Sequence, residues 1–186
     1  MLEGIDLEIE AGSTIALIGA SGAGKTTLAS LVPRFYDTQQ GSVAIDGIDV
    51  REVTRRSLRR EVGVISQDPF LFSASVRDNI AFGVPDVLPE LVEAAARAAQ
   101  AHAFIEELPN GYDTVIGERG ITLSGGQRQR LAIARALVID PRILILDDAT
   151  ASVDATTESL IRAGLTEAMR GRTTIVIAHR LSTIAL

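Results

Sequence analysis

The 186-residue chain has no cysteine, no tryptophan and a single lysine. Without cysteine there are no disulfides and no thiolate metal ligands, as suits a reducing cytoplasm. Long apolar runs are also missing. The longest uncharged stretch, Ala11 to Gly24, covers 14 residues and is rich in glycine, short of the ~20 that a membrane-spanning helix needs. Any membrane part therefore lies elsewhere. No charged-then-apolar leader with a small-residue cleavage site opens the sequence, so nothing points to secretion. Acidic residues outnumber basic ones, and the net charge of −6 argues against a nucleic-acid-binding surface. The one basic cluster, Arg51, Arg55, Arg56, Arg59 and Arg60, reads as a solvated helix face.

What is present suits one compact domain, since 46% of the residues are apolar and the length is too short for two ordinary cores. Apolar runs of strand length recur at Thr14–Ile18, Val43–Ile45, Val62–Ile65, Ile143–Leu146 and Thr173–Ala178. Helical patterns follow several of them, and this alternation predicts an α/β fold with a largely parallel sheet. The near-continuous apolar character of Ile143–Leu146 and Ile175–Ile177 predicts central strands covered on both faces. Between Gln67 and about Val138 strand signals vanish. Helical patterns take over at Val76–Phe82, Leu88–Ala99, His102–Leu108 and Gly125–Val138.

The lone lysine is Lys25, and it stands in GASGAGKTT, Gly19 to Thr27. Gly19, Gly24, Lys25 and Thr26 fit G-x-x-x-x-G-K-[ST] between a predicted strand and a predicted helix, the context a phosphate-binding loop requires. Backbone N–H groups from Gly19 through Ala20, Ser21, Gly22, Ala23 and on to Thr27 would wrap the phosphates. The compact ammonium of Lys25 reaches the β/γ oxygens. Thr26 is left to hold Mg²⁺.

A second glycine-rich segment, Leu123-Ser124-Gly125-Gly126-Gln127, opens a helix. It offers a hydroxyl and unobstructed N–H groups of the helix-terminus anion kind, although alone it reads as a plain N-cap. Together with ILILDD, Ile143 to Asp148, and Ala178-His179-Arg180, the order and spacing resemble the nucleotide-binding domain of the ABC transporter family from about Leu2 to Ile184. The resemblance implies a P-loop NTPase (RecA-like) fold, with a mostly parallel sheet core, an inserted α-helical subdomain and a small N-terminal antiparallel β element. On this reading residues 1–186 form a single domain truncated at both ends, with the sheet core at 1–67 and 139–186 and the helical subdomain at 68–138.

The resemblance also assigns roles. Asp147 would organise Mg²⁺ together with Thr26 and Gln67, and Gln67 would be the mobile glutamine that links the sheet core to the helical part; outside this series a glutamine before Asp-Pro is an ordinary turn residue. Asp148 stands where the family usually carries a glutamate that polarises the attacking water, one methylene shorter. His179 occupies the switch position next to the γ-phosphate. Leu123 to Gln127 would close over ATP held by a second ABC ATPase domain, in a homo- or heterodimer, and Asp154 would lie in the loop crossing that interface. Thr114-Val115-Ile116-Gly117-Glu118-Arg119-Gly120 is similar to a motif of exporters, in which Glu118 would face the coupling helices of a transmembrane domain. Phe70 and Phe72 either line the groove for such a helix or pack inside the helical part. No aromatic precedes Phe35, so the family's adenine-stacking residue is missing.

The implied function is ATP binding and hydrolysis, with Mg²⁺, driving export from the cytoplasmic face of a membrane, without nucleic acid as partner. The rival class, ABC ATPases acting on DNA, RNA or ribosomes, includes members that separate lysine loop and signature by long coiled coils or zinc modules. Here Lys25 and Ser124 are only 99 positions apart. A non-hydrolysing regulatory subunit is the other alternative, kept open by Asp148.

Overall fold

The computed structural model describes residues 2–117, 123–147 and 155–178. Four strands, β1 (Thr14–Ile18), β4 (Val62–Ile65), β5 (Ile143–Asp147) and β6 (Thr173–Ala178), form a parallel sheet in the order β1-β6-β5-β4. The two strands predicted to be central are central. Register pairs Ile18 with Ala178, Ile177 with Asp147 and Leu146 with Ile65, so the carboxyl ends of all four strands share one rim.

Alternation along the strands divides the core in two. Ile65, Leu144, Leu146 and Val176 point into a large cluster shared with the helices between β4 and β5. Val62, Ile145, Ile175 and Ile177 point the other way, toward α1 (Lys25–Leu31) and α2 (Arg55–Glu61). Each fully buried Ile or Leu contributes ~1.5–3 kcal/mol relative to exposure. The central strands β5 and β6 find an apolar cover on both faces, whereas the edge strand β1 is covered on one face only.

Local signals explain the helices. The Thr54 hydroxyl accepts from Ser57 N at 3.1 Å and starts α2. The Ser75 hydroxyl accepts from Asp78 N at 3.0 Å and starts α3 (Val76–Ile80). Pro89 opens α4 (Pro89–Ala98), where its missing N–H is no loss. Then come α5 (His102–Glu106), α6 (Gly125–Val138) and α7 (Ala155–Met169). Three predicted helices, Val76–Phe82, Leu88–Ala99 and His102–Leu108, run one to two residues past the observed ends, the ordinary uncertainty of frayed termini.

The small antiparallel element is the hairpin of β2 (Ala44–Ile45) and β3 (Ile48–Asp49). Asp46 and Gly47 turn it with φ of +51° and +78°, the pair of left-handed residues that a tight hairpin needs. No strand is assigned in residues 2–13. The predicted basic face is exposed on and before α2, though two of its members are tethered. Arg59 donates to Pro33 O and Arg34 O at 3.1 Å each and lies over the Phe35 ring, and Arg51 pairs with Asp49.

At the opposite rim of the sheet, Arg172 fastens the end of α7 to the turn before β5. It donates to Pro141 O and Ala168 O at 2.8 Å each and pairs with Asp140 at 2.6 Å. No helix among the described residues is long and apolar enough to cross a membrane.

Candidate active site

Strand β1 delivers the chain to the loop at the carboxyl rim, where ligands of open α/β sheets bind. Gly24 sits at the N-cap of α1 with φ +92°, a conformation open to glycine and strained for other residues. A Cβ there would also come within 2.6 Å of the Leu2 side chain. The first turn of α1 presents N–H groups with no intrahelical partner, over the exposed Gly19 to Ala23.

Lys25 is folded back over this loop. Its residue is only 8% exposed, and Nζ donates to Gly19 O at 2.8 Å and to Ala20 O at 3.0 Å. An ammonium has three donors, so one remains for a phosphate oxygen while two anchor the group to the loop that would surround it.

Thr26, next along α1, donates from Oγ1 to Asp147 Oδ2 at 3.4 Å. A hydroxyl and a carboxylate, both hard oxygen donors, thus face one another beside the loop. This donor set fits Mg²⁺, which is held by one or two protein oxygens with phosphate oxygens and water completing its octahedron. The ion would neutralise phosphate charge there. Gln67 is exposed two residues beyond Ile65, and Ile65 is in register with Leu146. Adjacent strand ends are ~4.8 Å apart, so Gln67 emerges on the strand beside that of Asp147. The topology brings Lys25, Thr26, Asp147 and Gln67 to one rim. Glu118, Asp148, Asp154 and His179 lie outside the described residues.

The second glycine segment opens α6 as a capping box. Ser124 Oγ accepts from Gln127 N at 3.2 Å, while Gln127 Oε1 accepts from Ser124 N at 2.8 Å. The capping role expected for Ser124 alone is therefore present. Ser124 and Gly125 are exposed, whereas Leu123 and Gly126 are buried. A Cβ on Gly126 would overlap Cγ2 of Thr157 in α7. Helix packing thus favours glycine at 126, a reason invisible in the local sequence.

Sequence reasoning missed three polar residues that shape the segment after Gln67. Asn79, 1% exposed, accepts from Phe72 N at 2.9 Å and donates to Phe72 O and Ser75 O at 3.0 Å each. Arg135 of α6 donates to Phe70 O and Asn79 O at 2.7 Å each. Its guanidinium lies 5.6 and 5.7 Å from the centres of the Phe72 and Phe82 rings, and burial lowers its pKa. Gln129, also of α6, is 5% exposed and donates from Nε2 to Ser66 O at 3.2 Å. Of the two aromatics, Phe70 is 54% exposed, while Phe72 is half-buried between Phe70 and Phe82. His102 is a packing residue, its Nδ1 hydrogen-bonded to the Tyr112 hydroxyl at 2.9 Å.

Comparison with known proteins accounts for this combination of loop, rim and capped glycine helix. Residues 2–151 match the ABC transporter family. The heterocyst differentiation ATP-binding protein HepA of Nostoc sp. is 56% identical over 185 residues, covering all of this chain and 30% of that protein. The ATP-dependent lipid A-core flippase of Chromohalobacter salexigens is 53% identical over 184 residues, 99% of this chain and 32% of the flippase. Among solved structures, a bacterial Atm1-family ABC exporter with ATP bound superposes with a TM-score of 0.89 at 49% identity, over 98% of this chain and 32% of that one. The chain spans about a third of the length of these relatives. It belongs to the ABC transporter family, as an ATP-binding and ATP-hydrolysing nucleotide-binding domain.

Proposed function

We propose that this chain is the motor of an ABC exporter. It binds ATP and Mg²⁺ at Gly19–Thr27 with Asp147 and Gln67, pairs with a second ABC ATPase domain through its signature Leu123–Gln127 and Asp154, and drives substrate across a membrane from its cytoplasmic face. Asp148 and His179 would act on the attacking water and the γ-phosphate. Residues 68–138 would move as a helical subdomain against the sheet core.

The observation that carries the exporter reading is the aromatic surface formed by Phe70, Phe72 and Phe82 directly after Gln67. Phe70 and Phe82 are 54% and 52% exposed, yet Arg135 and Asn79 fix the backbone between them. A rigid, half-exposed aromatic cluster of this kind suits an apolar helix face from a partner. The segment continues into Ser75, which bridges to Val115, three positions before Glu118. A coupling helix of a transmembrane domain is therefore the partner this surface fits. The names of the relatives, a flippase and an exporter among them, point the same way.

Glu118→Cys in the complete polypeptide is expected to cross-link with a cysteine in a cytoplasmic helix of the transmembrane part. Absence of cross-links at every such position would remove the docking assignment.

A further inference from the structure

Gln67 is flanked by two hydrogen bonds from one helix. On its amino side the Ser66 carbonyl accepts from Gln129 Nε2 at 3.2 Å, and on its carboxyl side the Phe70 carbonyl accepts from Arg135 Nη1 at 2.7 Å. The donors are six residues apart on α6, a rise of about 9 Å. They are held firmly. Gln129 is 5% exposed, and Arg135 is gripped by Asn79 and the two phenylalanine rings. The same helix begins at the signature, where Ser124 and Gln127 close their capping box. Arg130, immediately after Gln129, donates to Gln100 O at 2.7 Å and lies over Phe104, so α6 is fastened to the helical elements as well.

We propose that Gln129 and Arg135 are positioning residues for ATP hydrolysis. They hold the backbone on both sides of Gln67 in fixed relation to the signature helix, so that a displacement of Gln67 is carried to the signature and back. Neither side chain needs to touch nucleotide. The effect arises because a buried amide or a partly buried guanidinium tied to a carbonyl resists sliding of one segment past the other. The inference rests on the assignment of Gln67 to the nucleotide site.

The test is a double-mutant cycle in the complete transporter. Gln129→Met keeps the side chain's length and apolar stem and deletes the donor. It is expected to lower kcat about 10-fold, well below the ~100-fold that a 1 Å misplacement can cost, with ATP affinity changed less than about twofold. In a Gln67→Ala background the same substitution is expected to change kcat less than about twofold, because the residue it positions is already gone. Arg135→Lys, which keeps the charge and loses the fork, is expected to show the same non-additivity and guards against poor folding of the first variant.

Equal losses in both backgrounds would overturn the proposal, as would a fall in ATP affinity that matches the fall in kcat. If Gln67→Ala alone leaves kcat unchanged, the assignment of Gln67 fails and takes the proposal with it. An effect of Gln67→Ala with additive losses would sink the positioning role alone.

Discussion

Thr26 and Asp147, 121 positions apart in sequence, meet across 3.4 Å beside the phosphate loop. The contact exists because β5 ends at the same rim at which α1 begins. Replacing the carboxylate by an amide removes the charge that would favour a divalent ion. Asp147→Asn is expected to raise the Mg²⁺ concentration for half-maximal ATPase activity at least ~10-fold, with one lost charged interaction worth ~1.5–3 kcal/mol. A titration of activity against Mg²⁺ at saturating ATP checks this.

Lys25→Ala removes the one side-chain cation of the loop and leaves the phosphates to backbone dipoles. ATP binding by the complete polypeptide is expected to fall below detection in a nucleotide titration. Unchanged affinity would mean that the loop does not hold phosphate.

Gly126→Ala places a methyl group where Thr157 Cγ2 already stands. Overpacking of this kind costs ~1–3 kcal/mol, which for a chain of this size lowers Tm by ~2–4 °C per kcal/mol. Thr157→Ser deletes the obstructing methyl and is expected to restore much of the lost Tm in the double variant. Calorimetry of the four proteins decides whether packing alone fixes this glycine.

Burial, aided by the charge of Glu93, raises the Tyr112 phenol from 10.0 to about 12. The neutral form is thus favoured by folding. The contribution is fully present below pH 10.0 and is lost as pH rises through about 12. Spectroscopic titration of phenolate is expected to show a late step near pH 12 that Tyr112→Phe abolishes. If the step that Tyr112→Phe abolishes lies in the ordinary phenol range instead, the packed environment is contradicted.

Asp148 offers a shortened carboxylate where the family usually has glutamate, and general-base catalysis contributes ~10²–10⁴-fold. We propose that this chain, with its signature and its shortened carboxylate, serves a partner's site better than its own, as in a heterodimeric exporter. Asp148→Glu is expected to raise turnover at this chain's site when the partner's site is disabled. No gain would favour Asp148 as a working base, and the homodimer with it.

Much of the sheet was legible because its strands announce themselves locally. Thr14–Ile18, Val62–Ile65 and Thr173–Ala178 are apolar runs whose observed bounds coincide with the predicted ones. The loop and the capped start of α6 were legible for a similar reason, since Gly24 supplies the left-handed turn before α1 and Ser124 caps α6. The hairpin's second strand escaped notice although Asp46-Gly47 is a strong turn signal; Ile48–Asp49 is too short to show alternation. The polar scaffold around Gln67 could not be read. Asn79, Gln129 and Arg135 look like solvent-facing residues in helical stretches, and their partners lie up to 65 positions away. Only the folded chain shows that they are turned inward.

Because every strand of the main sheet points the same way, the molecule separates its risks. Substitutions at the nucleotide rim are expected to alter what the domain does, whereas those at the far rim, where Arg172 gathers Asp140, Pro141 and Ala168, are expected to alter how firmly it stays folded. Mutational drift can therefore explore new catalytic tempos at one edge without loosening the frame, and repairs to the frame can accumulate at the other without silencing the motor.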